Sequence, residues 1–190
     1  MKLIQLCGTN GVGKTTSVLQ FCERRGMTAQ VLEIDKKQYD YHTDGKVVVL
    51  GRYGLTKCGG IDGKITDKRV LKYVIIQMLK KLRPEVFVFE ALVYGNTFTF
   101  RWEMAQLAKA MGYEYTAVCL VPPLDTALDR VYERNGNDVN VEQIAQKYFQ
   151  ALKSSAKLRQ AGVDVRVIDT SKVPKEEMYK NVEEAICQNR

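Results

Sequence analysis

Histidine is almost absent from this chain: His42 is the single one in 190 residues. One imidazole in a polar stretch reads as a solvated side chain. It argues against zinc centres and His-based catalysis, which need several convergent ligands or a His with a placed partner. Cys7, Cys22, Cys58, Cys119 and Cys187 are odd in number and lack ligand spacing. That excludes a metal knuckle or a disulfide framework and leads us to expect a reducing cytoplasm. No apolar run approaches the roughly 18 residues of a membrane-spanning helix. The first residues already read as a strand, so no leader is expected. Low-complexity tracts and internal repeats are missing, and one domain over residues 1–190 is expected. No N-K-x-D appears to read guanine as in GTPase switches, and no strand ends in the Asp-Glu of ATP motors.

What is present begins at Gly8. Residues 8–15 read Gly-Thr-Asn-Gly-Val-Gly-Lys-Thr, the pattern G-x-x-x-x-G-K-[ST], between an apolar run (Lys2–Cys7) and a helical pattern from Thr15. The glycines let successive backbone N–H groups curl inward onto phosphate oxygens. Lys14 brings a point charge to the β/γ-phosphates, and the Thr15 hydroxyl suits Mg²⁺. The stretch Gly8, Thr9, Asn10, Gly11, Val12, Gly13, Lys14, Thr15, Thr16 is therefore the expected binding site for ATP with Mg²⁺.

Apolar runs alternate with helical patterns along the rest of the chain. Strands are expected near 2–7, 28–35, 46–50, 85–90, 115–121 and 163–169. Such alternation predicts an α/β fold: a doubly wound, mainly parallel five-stranded sheet with helices on both faces and a small helical lid near 130–142. Ligands of such sheets lie beyond the strand C-termini. Two acids end strands there. Asp35 follows Val-Leu-Glu-Ile, where an acid accepts the proton of an attacking hydroxyl, and Glu90 follows Val-Phe-Val-Phe, where an acid helps hold Mg²⁺; their roles are interchangeable at this point. Arg130 and Arg134 are four apart on one helix face, placed to neutralise transition-state charge or, alternatively, to pair with Asp129 and Glu133.

Together, Gly8–Thr16, Asp35, Glu90 and the Arg130/Arg134 pair resemble P-loop kinases of the nucleoside-monophosphate and polynucleotide kinase type. The resemblance implies a lid carrying Arg130 and Arg134, adenine near Asp169–Pro174, and Asp35 as the general base. The stretch from Leu50-Gly-Arg-Tyr-Gly to Cys58-Gly-Gly-Ile-Asp62 is similar to phage-encoded P-loop kinases that phosphorylate a hydroxymethyl group on a DNA pyrimidine. That likeness implies a DNA substrate and, for a phage-encoded chain, the host cytoplasm.

The charge agrees with a polyanionic acceptor. The chain carries a formal +7, and residues 36–83 hold twelve basic against four acidic residues. Residues 36–66 read as an acceptor-binding insertion in which Arg52, Tyr53 and Lys57 stand among glycines, suited to stacking on a base and meeting phosphates. Arg101, with Phe98 and Trp102, is expected on the opposite wall. A solvated helix face and a loop packed by its own tyrosines explain the same residues. Three readings stay open: a kinase acting on nucleic acid, a kinase of a nucleotide or small metabolite, and an NTP-driven switch.

Overall fold

The computed structural model describes residues 1–53, 65, 67–91, 95–136, 139–172 and 174–187. In chain order the elements are β1 (Lys2–Cys7), α1 (Lys14–Arg24), β2 (Thr28–Ile34), β3 (Lys37–Thr43), β4 (Val47–Leu50), α2 (Lys68–Leu82), β5 (Val86–Glu90), α3 (Phe98–Ala110), β6 (Glu114–Leu120), α4 (Leu124–Asn135), α5 (Val141–Gln160), β7 (Asp164–Ile168) and α6 (Lys175–Cys187). The strands form one sheet in the order β2-β3-β4-β5-β1-β6-β7. From β4 to β7 every pairing is parallel. Those five strands are the expected core.

Strand alternation sends successive side chains to opposite faces. Leu3, Phe87, Phe89 and Cys119 pack with Leu71, Val74 and Met78 of α2 and with Phe100 and Met104 of α3. Ile4, Leu6, Val88 and Val118 pack on the other face with Val18 and Phe21 of α1 and Val182 and Ile186 of α6. Both faces are covered, which is why the central strands read as largely apolar runs. Polar side chains start α2 and α5: Asp67 accepts from the Arg69 N–H at 2.7 Å, and Asn140 from the Gln143 N–H at 2.8 Å. Each such cap contributes about 1 kcal/mol.

The other two strands correct the sequence reading. Residues 28–34 are an edge strand, antiparallel to β3, not a member of the parallel core. Asp35 and Lys36 are the two-residue turn between them, both at positive φ (50° and 62°). Lys37–Thr43, expected inside a loop insertion, forms a strand whose Tyr39 and Tyr41 are buried. Its alternating polar–aromatic pattern has the period of a half-buried strand.

A groove of about 500 Å³ opens where Lys2, Trp102, Tyr113 and Arg166 meet. It lies at the N-terminal ends of β1, β6 and β7, the opposite end of the sheet from the phosphate loop.

Candidate phosphate-binding and acceptor site

Strand β1 delivers Gly8 into the loop, and α1 leaves it at Lys14. Gly8, Gly11 and Gly13 all take positive φ (134°, 76° and 93°). Close approach adds a second reason at two of them. A Cβ on Gly8 would sit 2.6 Å from the Leu120 carbonyl oxygen, and one on Gly11 would sit 2.2 Å from that of Ala127. Both are inside van der Waals contact, so the loop is packed as well as curled. Val12 fills the core beneath it, Thr16 faces solvent, and Asn10 is half-buried. The Thr9 hydroxyl donates to the Ile144 carbonyl at 3.1 Å, tying the loop to α5.

Lys14 is buried, and its Nζ donates to the carbonyls of Gly8 and Thr9 at 3.0 and 2.8 Å. Thr15 Oγ1 donates to Glu90 Oε1 at 3.1 Å, and Glu90 is 2% exposed at the end of β5. A hydroxyl and a carboxylate in contact beside a phosphate cradle are the hard oxygen donors that Mg²⁺ takes. The residues present therefore fit a magnesium–triphosphate.

Arg130 closes the other side. Its guanidinium donates to Thr170 O at 2.9 Å, Thr170 Oγ1 at 3.1 Å and Gly11 O at 3.4 Å. The Thr170 hydroxyl reaches Val12 O at 3.3 Å. The segment after β7, expected to hold adenine, is thus bonded to the phosphate loop. Nearby, the Ser171 hydroxyl and amide hold the Asp169 carboxyl below its ordinary range. Arg134, one turn further along α4, is exposed and, among the described residues, donates to the Asn135 side chain at 3.0 Å.

The acceptor-side residues fare differently. Arg52 is exposed just past the end of β4, at the rim. Lys57 lies outside the described residues. Tyr53 is 3% exposed and belongs to the apolar core, so its ring is packing and not a stacking platform. Its N–H donates to His42 Nε2 at 3.3 Å. Asp35 is at the P-loop end of the sheet but on the hairpin, three to four strand spacings from β1. At about 4.8 Å per spacing the hairpin strands are offset laterally from β1 by roughly 14–19 Å. The arrangement separates Asp35 from the Lys14–Thr15–Glu90 group.

Arg101 is corrected most sharply. It is 0% exposed, so it is out of reach of a substrate. It donates to Gly95 O at 2.6 Å, to Ser155 Oγ at 3.0 Å, to Asn96 Oδ1 at 3.1 Å and to Cys119 Sγ at 3.7 Å. Gln5, 0% exposed inside β1, donates to the same Gly95 carbonyl at 3.0 Å and accepts from the Tyr115 hydroxyl at 2.6 Å. This buried polar network runs directly under the phosphate loop. Its readable signal is Gln5, a polar residue inside an apolar strand, which must find partners. Asn96, Ser155 and Thr170 carry no comparable signal. Phe98 and Trp102 stack at 6.2 Å on the core edge, partly buried.

A family profile described as an AAA domain matches residues 3–159. The chain belongs to that AAA-domain family. This AAA-domain protein is 28% identical over 174 residues to a 5-hmdU DNA kinase of Delftia phage PhiW-14, covering 85% of this chain and 65% of the relative. The chain thus spans about two thirds of that relative's length. Among solved structures it is similar to a Deinococcus radiodurans tunicamycin resistance protein (TM-score 0.55, 13% identity, 99% of this chain and 96% of that one). It is also similar to a deoxyadenosine kinase from M. mycoides (TM-score 0.50, 12% identity, 95% and 96% covered). The fold is that of P-loop kinases. No helix among the described residues is long and apolar enough to cross a membrane.

Proposed function

We propose that this AAA-domain protein is an ATP- and Mg²⁺-dependent kinase that transfers the γ-phosphoryl group to a hydroxyl in DNA, the hydroxymethyl group of a modified pyrimidine being the acceptor. The observation that carries the kinase reading is the Thr15–Glu90 contact beside Lys14 in a glycine-tight loop. The acceptor is argued from similarity to the phage DNA kinase and from the basic balance of residues 36–83.

Phosphoryl transfer needs positioning and charge neutralisation more than covalent chemistry. The backbone N–H groups of the loop hold the phosphates, and Lys14 leaves its two carbonyls to meet them. Thr15 and Glu90 would hold Mg²⁺, which would supply neutralisation of the phosphate charge. Arg130 couples the loop to the Thr170 segment, while exposed Arg134 acts from the lid side. Among the described residues Glu90 is the acid hydrogen-bonded to Thr15 beside Lys14, so the metal-holding role falls to it and not to Asp35. Arg52 at the rim meets acceptor phosphates.

The test is transfer from γ-labelled ATP to a panel of nucleosides, nucleotides, plain DNA and hydroxymethylated DNA. Label in hydroxymethylated DNA is expected. Label only in a free nucleoside or nucleotide replaces the DNA reading by a small-molecule kinase. ATP hydrolysis indifferent to every acceptor rejects the kinase.

A further inference from the structure

The carbonyl of Gly8 is a shared acceptor. Lys14 Nζ donates to it at 3.0 Å, and Asn96 Nδ2 donates to it at 3.2 Å. Asn96 also accepts from the Gly8 N–H at 3.1 Å through Oδ1, so its amide brackets one residue of the loop from both sides. The same Oδ1 accepts from Arg101 Nη2 at 3.1 Å. Only one orientation of the Asn96 amide satisfies all three contacts, because both Gly8 N and Arg101 need an oxygen and Gly8 O needs a donor. Asn96 is 1% exposed and Arg101 is 0% exposed. Arg101 donates to two backbone or amide oxygens, a hydroxyl and a thiol, with no carboxylate partner among the described residues. A fully buried guanidinium thus ties the Gly95–Asn96 turn to Ser155 of α5 and Cys119 of β6.

That bracket matters because Lys14 has two places to be. Here it is bonded to the loop's own carbonyls; with a triphosphate it must turn to the phosphates. A buried carbonyl left without a donor carries a desolvation penalty. Asn96 remains on Gly8 O when the ammonium departs, so one of the two carbonyls that Lys14 leaves, Gly8 O but not Thr9 O, keeps a donor. We propose that Asn96, held in place by Arg101, is a positioning residue that frees Lys14 to bind the β- and γ-phosphates. This rests on the nucleotide reading of the loop given above, and not on the identity of the acceptor.

Two variants test it. Asn96→Asp keeps the acceptor for Gly8 N–H and gives Arg101 a charged partner, but it removes the donor and sets a carboxylate oxygen against Gly8 O. Asn96→Ala removes the bracket without adding charge. For both, MgATP affinity is expected to fall about tenfold, the scale of one missing buried hydrogen bond. Affinity for AMP, which lacks the phosphates Lys14 serves, stays within about twofold, and kcat at saturating ATP within about threefold. Thermal midpoints of both variants are measured beside wild type, and the AMP affinity identifies a variant whose loop has collapsed. Unchanged ATP affinity overturns the proposal. Parallel falls in ATP and AMP affinity also overturn it, since they mean a distorted loop. If the wild-type protein itself binds no MgATP, the reading of the loop fails instead.

Discussion

The strands around the phosphate loop and the hairpin at the far side of the sheet follow opposite building rules. Beside β1, the polar side chains are buried and committed: Gln5, Glu90, Asn96 and Arg101 are at most 2% exposed. On the hairpin, Asp35, Lys36, Lys37 and Gln38 face solvent, and even Val31 is 53% exposed. Pairings on the basic segment are largely surface ones, such as Arg69–Asp67 and Lys46–Glu85, which contribute little stability. The contrast separates two tasks. Phosphate chemistry needs donors fixed to fractions of an ångström before the reaction starts. A polyanion needs several cations on an accessible face, and tolerates imprecision.

Removing the fixed side has the largest effect. Lys14→Ala should lower phosphoryl transfer by about 10³ or more, because the side chain acts on developing charge. Turnover within tenfold of wild type would remove the loop from the reaction. The acid on each side gives the next contrast. Glu90→Gln should cut kcat by roughly 10²–10⁴, the scale of a missing general base or metal ligand. Asp35→Asn should leave it within about threefold. The reverse order would bring the hairpin tip into the transfer site.

The hairpin side should be read through salt. Replacing Arg52, Lys36 and Lys37 by Ala should weaken apparent DNA affinity and flatten its salt dependence, by about one in slope for each phosphate no longer neutralised. MgATP affinity should be unaffected. An unchanged slope would mean that the basic residues of this face do not meet the acceptor.

The smallest effect concerns the join between the two regions. Burial lowers the pKa of the His42 imidazole, Asp40 opposing it, and Nε2 accepts the Tyr53 N–H. The folded chain therefore favours the neutral ring, and the unfolded chain takes up the proton first as pH falls. The stabilisation is complete above the usual imidazole value of about 6.5 and disappears below it. Between pH 7.5 and 5.5 the melting temperature should drop further in wild type than in His42→Gln, which accepts the same hydrogen bond without titrating. Parallel curves would show that His42 stays uncoupled from folding.

The same two regions explain what can be read from the sequence. The loop is legible because its chemistry requires glycines and a lysine at fixed spacing, and the parallel core because strands buried on both faces are largely apolar. Asp35 is misplaced by sequence reasoning because a strand run ending in an acid looks the same whether the strand lies beside β1 or at the sheet edge. The Asp35-Lys36 turn lacks the Asn-Gly or Asp-Gly that marks a two-residue hairpin. Residue type alone points Tyr53 and Arg101 toward a substrate. Burial decides otherwise, and it depends on contacts distant in the chain, such as Arg101 with Ser155. Asn96 escapes notice because one polar residue after a glycine in a loop has many uses.

The division between a fixed phosphate side and a cationic acceptor side is tested most directly by locating the transferred phosphate. DNA carrying 5-hydroxymethyluracil is incubated with γ-labelled ATP and Mg²⁺, digested by nuclease to 5′-nucleotides without phosphatase treatment, and separated by chromatography with mass detection. The account predicts label on the hydroxymethyl oxygen of the modified base, none from DNA lacking the modification, and none with Lys14→Ala. Label confined to DNA 5′ ends, or a free nucleoside phosphorylated while the hydroxymethylated DNA stays unlabelled, would contradict it.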